Sequence, residues 1–197
     1  EEISIVSAGD NLNHSMVIKS GITDVYDYNY MYENIKDYIN TFDIKVINQE
    51  TVLINDKNRC SGYPAFGSPI EIGEAVINAG FNVVTQATNH AYDKKEDGII
   101  DSINFWRENN IPVLGIHDSP DDSVYIYETD NTKIAMLNYT YSLNGFSLPN
   151  EKEYLVDSLY NEEKILKDLK YAKENSDFVI VFPHWGVEYT HTETEEQ

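Results

Sequence analysis

The sequence predicts an α/β domain. Short apolar runs of strand length alternate with longer amphipathic stretches through most of the chain. The alternation breaks once, in "SVYIYETDNTKIAMLNYT" from Ser123 to Thr140. There two apolar runs flank "TDNT", whose Asp and Asn favour a turn, and this predicts a hairpin within a mixed or second sheet.

In chain order, "ISIVSA" predicts a strand over Ile3–Ala8, followed by a helix over Tyr30–Thr41 and a strand over Ile44–Asn48. A helix over Ile70–Ala79 and a strand over Asn82–Gln86 come next, then a helix over Lys95–Asn109 and a strand over Pro112–Gly115. The hairpin contributes strands over Ser123–Glu128 and Lys133–Tyr139, and the last pair is a helix over Glu162–Asn175 and a strand over Phe178–Phe182. Residues 141 to 157 form a long connection, a class of segment that is often functional. Neither a repeat nor a low-complexity tract nor a linker divides the chain.

With 197 residues and 41% hydrophobic content, the chain has enough apolar surface for one sizeable core and is expected to form a single domain. It has no apolar run of membrane-spanning length. The 14 basic and 34 acidic residues give a net charge of -20, which argues against a nucleic-acid role and repels any polyanion unless metal ions or a partner intervene. Cys60 stands alone, so no internal disulfide forms. The first strand starts almost at once after Glu1 and Glu2, and the chain ends in the polar "HTETEEQ". Both ends are expected to be trimmed, the C-terminal one within the domain.

Polar residues gather where the strands end. Asp10 follows the first strand, Glu50 the second, Asn89 and His90 the third and His184 the last. In open α/β sheets sites collect beyond the carboxyl ends of the strands. Carboxylates, an amide oxygen and imidazoles together suit Zn, Mn or Fe, and such a set activates water for hydrolysis. Taken singly, Asp10 also fits a turn or helix cap, Glu50 a solvated loop, Asn89 a turn cap and His90 a hydrogen-bonded core histidine. His184 sits at the mouth of an apolar strand and must be solvated or paired. His117 and His191 read as surface residues. His14, four residues after Asp10, is ambiguous.

Four segments, "SAGDNLNH", "VINQETVL", "AGFNVVTQATNHAYDKKEDGIIDSINFWRENNIPVLGI" and "VFPHWGVEY", resemble in order those of the CapA family of poly-gamma-glutamate capsule biosynthesis proteins, related to calcineurin-like metallophosphatases. "GYPAFGSP", with Tyr63, Phe66 and Pro69, is similar to the family's short aromatic segment. The resemblance implies a metallophosphatase-like two-sheet sandwich flanked by helices, with its C-terminal part missing from this chain. It implies Asp10, Glu50, Asn89 and His184 as ligands of a divalent metal (Mn, Zn or Fe), with Glu50 bridging two ions. The family's second histidine cluster would follow residue 197, so the metal set is expected to be incomplete. By the same resemblance His90 protonates a leaving group or stabilises developing charge, Asp93 orients His90 or begins the next helix, and Glu188 and Tyr189 contact substrate.

Two functions follow as expectations. One is a metal-dependent hydrolase or transferase acting on a cell-envelope polymer or its precursor. The other is a non-catalytic scaffold within a capsule synthesis and export complex. The resemblance also implies the extracellular face of the cell membrane, capsule synthesis and export membrane proteins as partners, and an anionic polymer or precursor as ligand.

Overall fold

The computed structural model describes residues 2–120, 124–195 and 197. Four parallel strands, β1 (Ile5–Asp10), β2 (Ile44–Asn48), β5 (Val83–Thr85) and β6 (Val113–Leu114), make one sheet in the order β1-β2-β5-β6. A second sheet holds β7 (Tyr125–Glu128), β8 (Lys133–Thr140) and β9 (Phe178–His184), with β7 and β8 antiparallel and β8 and β9 parallel. A two-stranded pair, β3 (Leu53–Ile54) with β4 (Ser68–Pro69), completes the strands among the described residues.

Side-chain alternation explains the layering. Ile44, Val46, Val83 and Leu114 leave one face of the first sheet and pack on Ile134 and Met136 of β8, backed by Ile180 and Phe182 of β9. Burying each of the fully covered side chains among these contributes about 1.5–3 kcal/mol, which holds the two sheets face to face. The opposite face of the first sheet, with Ile47 and Val84, packs on α3 (Ile70–Ala79) and α4 (Lys95–Glu108) through Ile72, Val76, Phe105 and Trp106. On β8 the alternate residues Ala135, Leu137 and Tyr139 meet Ala172 of α5 (Glu162–Asn175). Helices thus flank a two-sheet sandwich.

Three predicted elements, β2, α3 and α5, match to the residue. The hairpin forms as expected, closed by Thr129 N–H donating to the Thr132 carbonyl at 2.9 Å, although Ser123, the predicted start of its first strand, lies outside the described residues. The predicted helix over Tyr30–Thr41 is instead a 3-10 turn at Asn29–Met31 and a single α turn, α2 (Lys36–Ile39). Tyr28, Tyr32 and Ile39 are anchored in the core, while Asn34, Ile35 and Asn40 favour helix weakly, so tertiary packing overrides the helical pattern. The short α1 (Ser15–Ser20) and the β3–β4 pair were not anticipated, being too brief to carry a periodic signal.

His117 is a correction. It is buried, and its Nε2 lies 2.8 Å from Asp157 Oδ2. The cause is the connection over residues 141–157, which folds back so that Ile116 bridges Val156 and His117 N–H donates to the Leu155 carbonyl. Its acidic sequence neighbours suggested a surface that the fold covers. His191 and His14 are exposed, His14 resting edge-on against Phe66 with ring centroids 5.0 Å apart.

Candidate metal centre

The carboxyl ends of β1, β2, β5 and β9 meet at one edge of the sandwich. The β1–β2 register slips after Ala8, which sets Asp10 opposite Asn48, and Asn48 Nδ2 donates to Asp10 Oδ1 at 2.7 Å. Thr85 orients that amide by donating to Asn48 Oδ1 at 2.9 Å. Beyond β2 the chain turns inward, burying Gln49, Glu50 and Thr51. Beyond β5, Thr88 Oγ1 donates to the Glu50 carbonyl at 2.8 Å and accepts the His90 N–H at 3.2 Å, locking the two strand-end turns together. From the second sheet, His184 at the end of β9 donates through Nε2 to Asn89 Oδ1 at 2.9 Å, while its Nδ1 lies 4.0 Å from Asp10 Oδ1.

Asp10, Glu50, Asn89 and His184 therefore line one cleft of about 450 Å³, joined by Tyr141, Trp185, Glu188 and His191. His90 stands behind them, its Nε2 4.0 Å from Glu50 Oε1 and its Nδ1 2.7 Å from Asp93 Oδ2. Asp93 also accepts the Phe66 N–H, and the Phe66 ring packs edge-on against His90 at 4.6 Å. Asp93 thus orients His90; α4 begins after Lys94. Tyr189 is fully solvent-exposed and lies outside the cleft lining. A larger cavity of about 870 Å³ lies on the other side of Tyr141 and holds none of the candidate ligands.

Electrostatics distinguish Glu50 from an ordinary loop carboxylate. It is 6% exposed, and among the described residues no hydrogen bond reaches its carboxylate. Burial, reinforced by the charges of Asp10 and Glu188, pushes its pKa up to about 7. Burial also lowers the pKa of His184, which favours the neutral imidazole that ligation requires. A divalent cation would compensate the buried carboxylate, so the donor set fits one in its chemistry. It is not closed: among the described residues no three His, Cys, Asp or Glu side chains are gathered tightly enough to form a ready-made ligand group.

Several participants were not singled out from the sequence. Asn48 links Asp10 to His184, approaching His184 Nδ1 at 3.4 Å, and Asn144 of the long connection reaches both Asn89 and His90. Under the site lies a buried amide and hydroxyl network. Asn11 donates to Gln49 Oε1, Asn13 Oδ1 accepts from Thr51 and Ser68, and Gln86 Nε2 donates to the Thr51 carbonyl. The motif "GDNLN" holds the only sequence hint of it, as paired Asn residues just past a strand.

The fold is a metallophosphatase-like two-sheet α/β sandwich flanked by helices. A candidate 5′-nucleotidase from Staphylococcus aureus, solved in complex with alpha-ketoglutarate, superposes with a TM-score of 0.55 and 17% identity over 95% of this chain and 38% of its own. A phosphatase from Mycoplasma pneumoniae superposes with a TM-score of 0.51 and 18% identity over 94% of this chain and 56% of its own. At these identities the likeness is one of fold. The chain belongs to the bacterial capsule synthesis protein family PGA_cap, whose model matches residues 4–197. It is 26% identical over 96% of its length to the capsule biosynthesis protein CapA of Bacillus anthracis, and 26% identical over 59% to the PGA biosynthesis protein CapA of Bacillus subtilis. It spans 48% and 31% of those two proteins.

Proposed function

We propose that this chain carries the metal-dependent centre of a poly-gamma-glutamate capsule biosynthesis protein, a hydrolase or transferase acting on a phosphoester or amide of the polymer or its precursor. The observation that carries the reading is the buried Glu50 carboxylate, which accepts no hydrogen bond among the described residues and faces Asp10, Asn89 and His184 across one cleft. Asp10, Glu50, Asn89 and His184 would hold a divalent cation, Mn, Zn or Fe. The cation supplies Lewis-acid polarisation of a phosphoryl or carbonyl oxygen and neutralises the crowded carboxylates.

The chain's own side chains do the rest. Asp93 holds the Nδ1 side of His90, which leaves Nε2 as the nitrogen that exchanges a proton with the leaving group. Phe66 shields one side of that ring from water. Glu188 lies close enough to raise the Glu50 pKa, and its charge disfavours an anionic ligand in the metal-free cleft. An anionic polymer would therefore bind after the cation, not before it. The family membership supports a setting at the extracellular face of the membrane with capsule synthesis and export membrane proteins as partners. Among the described residues no helix is long and apolar enough to cross a membrane.

The test is calorimetric titration with Mn and Zn, followed by assay of a chromogenic phosphomonoester and of poly-gamma-glutamate. Metal binding lost in Asp10→Ala and His184→Ala, with turnover lost in His90→Ala, supports the reading. Absence of metal together with unchanged partner capture by His90→Ala would leave the scaffold as the better account.

A further inference from the structure

We infer that Asn144, on the connection between β8 and α5, is a positioning residue of this centre: it fixes which side of the Asn89 amide faces His184 and restrains the His90 ring. The inference rests on the proposed roles of Asn89 and His90.

Asn144 Oδ1 accepts from Asn89 Nδ2 at 3.2 Å, and the oxygen side of the same Asn89 amide meets His184 Nε2 at 2.9 Å. An asparagine ligates a cation through its oxygen alone. Were the Asn89 amide to flip, it would present N–H groups to the cleft, and the acceptor on Asn144 is what opposes the flip. The Asn144 amide nitrogen lies 3.2 Å from His90 Nδ1 and 3.5 Å from Nε2. Because Nδ1 donates to Asp93, Nε2 is the ring nitrogen left to accept from the Asn144 amide, at 3.5 Å, and this contact limits ring rotation.

The backbone is shaped for the same purpose. Asn144 has φ of 51° and the following Gly145 has φ of 82°, two left-handed residues in succession. Asparagine is among the few non-glycine residues that accept this conformation readily. The turn is held by Asn144 N–H donating to Ser142 Oγ at 3.0 Å and Phe146 N–H donating to the Leu143 carbonyl at 2.9 Å. Asn144 is otherwise exposed and fills no core, so packing alone gives no reason for the inward aim of its amide.

Two variants separate the side chain from the backbone. Asn144→Gly keeps the left-handed turn and removes the amide, and Asn144→Asp keeps the acceptor for Asn89 while removing the donor to His90. The first readout is nitrogen-15 NMR of histidine rings and asparagine side-chain amides in the metal-free chain. The second is Zn affinity by calorimetry. Asn144→Gly should shift the Asn89 amide and His90 ring signals, leave His191 unchanged, and weaken Zn binding about 10-fold or more, with an unaltered thermal midpoint. Asn144→Asp should retain the Asn89 amide signal and shift only His90. Unchanged Asn89 and His90 signals in Asn144→Gly would overturn the inference. If the unmodified chain, whose ligand set is expected to be incomplete, binds no Zn, the NMR comparison alone decides the role of Asn144.

Discussion

His90 Nδ1 lies 2.7 Å from Asp93 Oδ2, and that same oxygen accepts the Phe66 backbone N–H at 2.7 Å. One carboxylate therefore aims the imidazole and satisfies a buried main-chain donor. Asp93→Ala should destabilise the chain by about 1–3 kcal/mol in urea denaturation, because it strands the Phe66 N–H. Asp93→Asn keeps an acceptor for that amide and should be nearly as stable as the parent. Both should reduce phosphoester turnover by about 100-fold or more, the usual scale of general acid-base catalysis. Equal turnover in Asp93→Asn and the parent would remove Asp93 from the mechanism.

Glu50 gives the metal-free chain a pH dependence with a definite sign. Its folded pKa, about 7, is above the unfolded value of 4.5. The folded state therefore keeps a proton that the unfolded state has released. Stability from this group is complete below about pH 4.5 and is lost as pH rises through 7, by up to about 3 kcal/mol. Urea melts at pH 5 and pH 8 should show the loss in the parent and not in Glu50→Gln. If both melt alike, Glu50 titrates as an ordinary carboxylate.

Asn138 ties the site to the sandwich. Its Oδ1 accepts the Gln86 and Ala87 N–H groups at 3.0 and 2.6 Å, and its Nδ2 donates to the Phe182 carbonyl at 2.8 Å. Gly115, with φ of +84°, leaves room for this, because a Cβ there would collide with Ala87 and Asn138. Asn138→Leu strands the buried Ala87 N–H next to the turn that bears Asn89 and His90, whereas the Gln86 N–H keeps the Leu114 carbonyl at 2.9 Å. We expect a loss of about 1–3 kcal/mol by chemical denaturation, together with weakened metal binding. Asn138→Asp, which keeps the acceptor, should lose less.

Lys164 provides the contrast. Its Nζ pairs with Asp157 Oδ1 at 3.2 Å and Asp168 Oδ2 at 2.7 Å, and Tyr139 donates to the same Asp168 oxygen at 3.0 Å. Lys164→Met leaves two buried carboxylates without this cation and should cost about 3–5 kcal/mol, while metal affinity is unchanged. A parallel fall in metal affinity, measured at a temperature where the variant remains folded, would show that the two regions are coupled.

Much of the fold was legible because its signals are local. Ile44–Asn48, Ile70–Ala79 and Glu162–Asn175 carry clear apolar patterns with polar residues at their ends, and they form as read. The strand pattern placed Asp10, Glu50, Asn89, His90 and His184 at strand ends, and the family resemblance, not the periodicity, picked the ligand set out of them. Asn48, Thr88 and Asn144 were not legible as parts of the site, because their importance lies in partners distant along the chain: Asn48 meets His184 across 136 residues and Asn144 meets Asn89 across 55. His117 was misread because its neighbours in sequence are acidic while its neighbours in space are Asp157 and the folded connection.

The sequence by itself determined an α/β chain with ligand-type side chains at four strand ends and a net charge of -20. Tertiary structure alone decided that those ends share one cleft. Periodicity reports which face of a strand is apolar and says nothing of which sheet will cover it. Here Ile44, Val46, Val83 and Leu114 settle against Ile134 and Met136, and that stacking carries β9 and His184 to the mouth of β1. The partners of that contact are scattered over the whole chain, and their meeting is a property of the packed core.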